Sequence, residues 1–219
     1  CIRDRYQISI DNVIKLCENL IDLSINKILL FGAVYEKDET GDIACSSESI
    51  IPKAVRQIKK IFGDKLLIIA DVCNCSYPTH GHCGTIKNND VDNDSTNKTL
   101  ANQSLVLASS GVDIIAPSDM MDGRVKFIRE ILDKNSYEKI PIFPYSVKYS
   151  SSFYGPFRDA VNSEFAGGKR ETHQMNFKNS FEFIREIEQD LNEGADAVII
   201  KPALSYLAVS YTHLTLPTI

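Results

Sequence analysis

Five short runs rich in Ile, Val and Leu, spaced by segments of helical periodicity, limit what this chain can fold into more than any other feature. The runs are Lys27–Val34 (KILLFGAV), Leu66–Val72 (LLIIADV), Val112–Pro117 (VDIIAP), Ile140–Tyr145 (IPIFPY) and Ala195–Pro202 (ADAVIIKP). They are almost continuously apolar and do not alternate with polar residues, so they read as strands buried on both faces of a parallel sheet. Helical spacing fills the intervals at Ser49–Phe62, about Thr96–Ser109, Gly123–Asp133 and Ser180–Leu191, and Ile10–Asp22 precedes the first run. Strand and helix in strict alternation imply a sheet covered by helices, either open and doubly wound or closed as a barrel.

The placement of polar residues favours the barrel. Asp71, Cys73, Cys75, Ser118, Asp119, Lys148 and Lys201 stand at or just past the C-terminal ends of several different strands, where a (β/α)8 barrel gathers its chemistry. No Gly-x-Gly-x-x-Gly fingerprint follows any strand, which lowers a dinucleotide-binding reading. The 219 residues, 43% of them hydrophobic, suffice for one sizeable core and do not demand a second domain. A net charge of −5 argues against a nucleic-acid surface, and no apolar run approaches a bilayer span. The Asn/Asp-rich stretch Asn88–Asn97 reads as an exposed loop, and no internal repeat is visible.

Three of six cysteines, Cys73, Cys75 and Cys83, crowd into eleven positions, a spacing that suits a metal in a reducing compartment better than disulfides. Asp71, Cys73 and Cys75 follow one another at period two, so they project from one side of an extended chain, and the loop Ser76–Gly81 can return Cys83 to them. Three thiolates with a fourth position open make a catalytic-type zinc site, with His82 as the spare candidate. Buried reduced cysteines near a strand end would give the same pattern.

Lys201 closes the run Ala197–Ile200 ahead of Pro202, and Lys148 stands in a similar place after Pro144-Tyr145-Ser146-Val147. A desolvated amine at such depth loses its proton more easily and can attack a carbonyl to form a Schiff base. If both lysines enter one pocket, each charge is expected to depress the other's pKa. The alternative is that each stem packs at the rim with its head in water. Arg158, in SFYGPFRD, suits a substrate carboxylate or a local ion pair; Arg170 lies in a glycine-rich segment that fits a lid. Ser118 or Asp122 could equally cap the helix that follows them.

Taken together, DVCNCSYPTHGHCG (Asp71–Gly84), APSDMMDGRV (Ala116–Val125), YSVKYSSSFYGPFRDA (Tyr145–Ala160) and EGADAVIIKPALSYL (Glu193–Leu207) resemble the porphobilinogen synthase (5-aminolevulinate dehydratase) family. The resemblance, running from about Ile8 to Leu207, implies a TIM barrel, usually octameric, that condenses two 5-aminolevulinate molecules into porphobilinogen. It implies that Lys201 holds the first substrate as a Schiff base and that Lys148 serves the second. Cys73, Cys75 and Cys83 match the zinc version of the metal loop, with Asp71 beside it. Ser118, Asp119, Phe157, Arg158 and Arg170 match the wall around the second substrate. Glu186 matches a glutamate that anchors an activating magnesium in some members, and an ordinary solvated carboxylate fits it as well. Thr172 stands where some animal members carry a cysteine for a second zinc, so no second zinc is expected at His82.

The same resemblance makes the barrel incomplete here, with about five of eight strands within residues 6–207. Residues 1–5 and 208–219 are expected to be non-native ends, and the strands completing the first-substrate pocket would follow Leu207. Open sheet edges at Lys27–Val34 and Ala195–Pro202 would leave the isolated polypeptide poorly soluble and without synthase activity. The expected compartment is the cytoplasm, with a plastid as the alternative.

Overall fold

A computed structural model describes residues 6–88, 90–155, 174–179 and 181–207. Parallel strands β1 (Lys27–Leu30), β2 (Leu67–Val72) and β5 (Ile114–Pro117) form a sheet in that order, with Lys27 opposite Leu67 and Ile69 opposite Ile114. A two-stranded antiparallel pair, β3 (Ile86–Lys87) and β4 (Asp90–Val91), stands apart from it. The backbone then continues sideways: Ile115 N–H donates to Pro141, and Phe143 and Tyr145 donate back to Ile115 and Pro117. On the far side of that segment, Asp196 donates to Ile142 and Ile199 to Pro144, leading into the parallel pair β6 (Val147–Lys148) and β7 (Ile200–Lys201). Spatial order therefore follows chain order throughout, with no reversal. A doubly wound sheet requires a reversal; a barrel does not.

Helices α1 (Ile10–Asp22), α2 (Ile50–Phe62), α3 (Asn93–Ser109), α4 (Arg124–Lys134) and α5 (Glu182–Asn192) occupy the intervals, as their apolar spacing requires. Along β2 burial alternates: Ile68, Ala70 and Val72 are fully buried beneath the helices, whereas Ile69 and Asp71 face the other side. Ile51, Val55 and Ile58 of α2, Leu100 and Leu107 of α3, and Val125, Ile128 and Leu132 of α4 share one core with them. Each such fully buried aliphatic side chain contributes about 1.5–3 kcal/mol of transfer free energy. Phe183 and Ile187 of α5 form a second cluster with Val147 and Ile200.

Three expectations need correction. The strands are shorter than the apolar runs: Phe31–Val34 leaves the ladder, and Pro141 and Pro144 have no N–H to complete one. Asn93–Asn97 is not loop but the first turns of α3, capped by Asp92, whose carboxylate accepts from Ser95 N at 3.1 Å. Its polar residues were misleading because Thr96 and Asn97 are buried and hydrogen-bonded rather than solvated. Finally, α4 has Gly123 as its N-cap, so neither Ser118 nor Asp122 caps it.

A short device recurs at two strand starts. After α3, Gly111 takes φ +94°, Val112 N bonds back to Leu107 O, and Asp113 stands just before β5. After α5, Gly194 takes φ +107°, Ala195 N bonds back to Asp190 O, and Asp196 follows. This is the left-handed helix stop that favours glycine. Each aspartate then grips one residue of the preceding strand at two points. Asp113 N donates to Ile68 O at 3.0 Å while its carboxylate accepts from Ile68 N at 2.6 Å. Asp196 does the same to Ile142, at 3.0 and 2.9 Å.

Candidate active site and metal centre

The strand ends converge on one cavity, lined by Asp71, Cys75, Cys83, Ser118, Lys148 and Lys201 together with Phe31, Gly32, Ser76, Tyr154 and Gln174. Lys148 and Lys201 are direct partners in the parallel register of β6 and β7, so both side chains leave the same face at adjacent positions. Neither simply snorkels: Lys148 is 8% exposed, and its ammonium donates to the carbonyl of Ser118. Lys201 points its amine at the rings of Phe31, Tyr145 and Tyr154, 5.4–5.5 Å from each centroid.

The expected mutual depression of the two lysines is one-sided. Burial lowers the pKa of Lys201, and the charge of Lys148 lowers it further, against the opposing pull of Asp71, Cys75 and Cys73. For Lys148 burial works in the same direction, but the acidic groups Cys83, Cys73, Cys75 and Asp71 outweigh it and raise its pKa. Lys148 thus keeps its proton while Lys201 sheds its own more readily. Asp71 behaves like a buried acid: desolvation, with Cys75, pushes it up to about 7 despite a hydrogen bond from Ser118. Its Oδ1 is shielded from solvent and has no hydrogen-bond partner among the described residues.

The sulfurs of Cys73, Cys75 and Cys83 lie within 4.8 Å of one another. A tetrahedral ion with metal–sulfur bonds of about 2.3 Å would hold them at roughly 3.8 Å, so a small closure accommodates it. Cys73 is raised well above an ordinary thiol by hydrogen bonds with Cys75 and Cys83 and by burial. Cys83 is pushed up to about 12 by its bond with Cys75 and by burial, although its bond with Cys73 acts the other way. Such a group is costly to ionise without a cation and is stabilised by one. His82 does not join the sulfurs in the metal-sized group found among the described residues; its Nδ1 accepts from Gly84 N at 2.8 Å.

Gly32 borders the same cavity, and the close approach of Tyr77 accounts for it. A Cβ there would stand 2.5 Å from the Tyr77 hydroxyl and 3.1 Å from Ile51, and Tyr77 is buried. Gly32→Ala is expected to destabilise the protein by about 1–3 kcal/mol, read as a lower urea midpoint with an unchanged slope.

A family model for delta-aminolevulinic acid dehydratase matches residues 1–214. The chain belongs to the delta-aminolevulinic acid dehydratase family. It is 50% identical over 204 residues to the dehydratase of Helicobacter pylori strain J99, covering 93% of this chain and 63% of that protein. With the dehydratase of Archaeoglobus fulgidus it shares 47% over 206 residues, covering 94% and 64%. The solved dehydratase of Toxoplasma gondii ME49, in complex with the product porphobilinogen, superposes with a TM-score of 0.90 at 39% identity, covering 93% of this chain and 59% of that one. The chain thus spans less than two thirds of the length of these relatives.

Within this dehydratase fold the other expected residues separate into three groups. Ser118 lies in the cavity wall, while Asp119, fully buried, turns to Met121 N at 2.8 Å and to Arg124 at 3.9 Å. Phe157, Arg158, Arg170 and Thr172 lie outside the described residues. Glu186 borders a second, wider cavity with Asp90, Asp122 and Glu182, and Arg185 stands 3.7 Å from it. Burial, with Asp122, raises its pKa, and no metal-sized group among the described residues includes it. Phe31, Tyr145, Tyr154 and Gln174 join the site without having been expected there: Phe31 and Tyr145 lie in apolar runs and look like core, and Tyr154 and Gln174 lie in stretches with no strand or helix pattern to aim them. No helix among the described residues is long and apolar enough to cross a membrane.

Proposed function

We propose that the intact protein is a porphobilinogen synthase, a lyase that condenses two 5-aminolevulinate molecules into porphobilinogen with loss of two waters. The observation that carries this is the register pairing of Lys148 with Lys201 in a cavity that also contains Cys75 and Cys83 of the three-cysteine group. In this reading Lys201, the more readily deprotonated amine, adds to the ketone of the first substrate, and water leaves as the C=N bond forms. Lys148 keeps its positive charge near that site until the second substrate arrives. Ser118, Phe157, Arg158 and Arg170 form the wall for that second substrate, with the arginines on its carboxylate and Asp119 buried behind Ser118.

Zinc fits the thiolate set better than a hard cation does, and Cys73, Cys75 and Cys83 would hold it. When bound it supplies Lewis-acid polarisation of an oxygen ligand. Asp71, raised to about 7, can hold or give a proton beside it near neutral pH. Magnesium at Glu186, a closed (β/α)8 barrel, a homo-octamer and a cytoplasmic location complete the proposal. A different Schiff-base lyase would need no three-sulfur group, and a zinc-binding interaction module would need no paired lysines.

The test is borohydride reduction in the presence of 5-aminolevulinate, followed by peptide mass mapping. A secondary-amine adduct on Lys201, with porphobilinogen formed in the untreated sample, is the expected result; no adduct on either lysine would overturn the reading. The pH dependence carries a sign. Attack needs the neutral amine, so capture at Lys201 rises with pH, and its midpoint lies below that of an ordinary lysine. Lys148→Met removes the neighbouring charge, while Asp71, Cys73 and Cys75 still favour the protonated form. The midpoint of single-turnover capture is therefore expected to move to higher pH; an unmoved midpoint would show that Lys201 does not feel Lys148.

A further inference from the structure

We propose that Arg124 and Asn93 are positioning residues for Lys148, acting through the turn that follows β5. This rests on the synthase reading, extended to an imine between Lys148 and the second substrate once that substrate has arrived. The turn, Ser118–Gly123, contains Met120 at φ +70° and Gly123 at φ +76°, so it includes a non-glycine residue in a conformation that its surroundings must hold. Its first carbonyl, that of Ser118, accepts the Lys148 ammonium. Wherever the turn sits, the head of Lys148 follows.

Two clamps hold it. From α3, Asn93 forms a two-point bond with the backbone of Asp122, accepting from its N and donating to its O, each at 3.0 Å. From within α4, the guanidinium of Arg124 donates to Met121 O at 3.1 Å and to Tyr145 O, on the segment leading to Lys148, at 3.4 Å. The same group meets Asp190 at 3.0 Å, on the helix that leads into the strand of Lys201. Arg124 is 2% exposed, and Asp119 and Asp190 beside it are 0% and 2% exposed. A buried ion group of this kind is weak evidence for stability, since apolar residues of similar volume often stabilise as much. What it fixes here is geometry: one planar fork ties the turn, the Lys148 strand and α5 together.

The experiment measures borohydride capture of 5-aminolevulinate at each lysine separately, in the zinc-loaded protein and in Asn93→Ala and Arg124→Gln. Asn93→Ala leaves no charge unpaired and is expected to lower capture at Lys148 about 5–10-fold, the equivalent of one or two lost hydrogen bonds. Arg124→Gln is expected to lower it about 100-fold, as misplacement of a reacting group does. Lys201 capture should stay within about twofold in Asn93→Ala, whose bonds reach the backbone of Asp122 and not the strand of Lys201. If Arg124→Gln does not fold, Asn93→Ala decides alone. An unchanged ratio of Lys148 to Lys201 capture in folded Asn93→Ala would overturn the proposal, as would a parallel fall at both lysines. Absence of capture at both lysines in the unsubstituted protein would instead overturn the synthase reading itself.

Discussion

Lys201→Met is expected to eliminate the borohydride-trapped adduct at position 201 and to lower porphobilinogen formation by at least about 10⁴-fold, the scale seen when a covalent nucleophile is removed. Methionine keeps the length and apolar stem of the side chain, so the rings of Phe31, Tyr145 and Tyr154 retain something to pack against. Its position opposite Lys148 in the ladder is a backbone property and survives the change. Thermal unfolding should therefore move little, or upward, since a half-buried amine and its proximity to Lys148 are both removed. Retention of more than a few per cent of the activity would mean that Lys148 alone carries the chemistry. An adduct persisting elsewhere would mean that the nucleophile has been misplaced.

Alanine substitution of Cys73, Cys75 or Cys83 is expected to reduce bound zinc from about one per chain to nearly none, weakening affinity by more than the roughly 100-fold that changes outside the ligand set produce. Porphobilinogen formation should fall with it. Capture at Lys201 should survive, because imine formation needs only the amine and the ketone. That separation distinguishes a metal used in the chemistry from one that merely holds the loop: in the latter case capture and zinc would be lost together. The protonation states add a second measurement. Cys73 and Cys83 both titrate well above neutral pH without metal, so zinc must displace at least two protons. Affinity should rise with pH, and calorimetry in buffers of different ionisation heat should count the protons released. A proton-neutral binding event would contradict a thiolate site.

How much of this could be read from residues alone depended on the range of the interaction. The cysteine group was legible because two of its members lie at period two on a strand end, and a short loop brings back the third. The lysines were legible because each closes a buried strand, where a charged group needs a reason. Their unequal environments were not: the groups that set Lys148 apart lie far off in the chain, Cys83 at 65 positions and the Ser118 carbonyl beyond β5. The start of α3 looks like loop because Asn and Asp usually signal solvent, whereas Asn93 and Asn97 spend their amides on the backbone of Asp122. Arg124 stands inside what looks like an ordinary amphipathic helix. Its partner Asp190 lies 66 residues further on, and no local pattern announces such a pair.

The two-point grips of Asp113 on Ile68 and Asp196 on Ile142 also bear on how the protein is made. Synthesis delivers the chain N-terminal end first, so Ile68 is available before Asp113 emerges, and Ile142 before Asp196. In each case the later residue carries the information needed to align with the earlier one, immediately after a glycine has ended the helix between them. Alignment is thereby settled locally as each strand arrives. Non-local strand pairing is slow because chain entropy is lost before contacts reward it, and a charged two-point latch at the first residue shortens that interval. The latches lie at the opposite ends of the strands from Lys148, Lys201 and the cysteines. Nascent strands can therefore be aligned without any demand on the residues that meet the substrate.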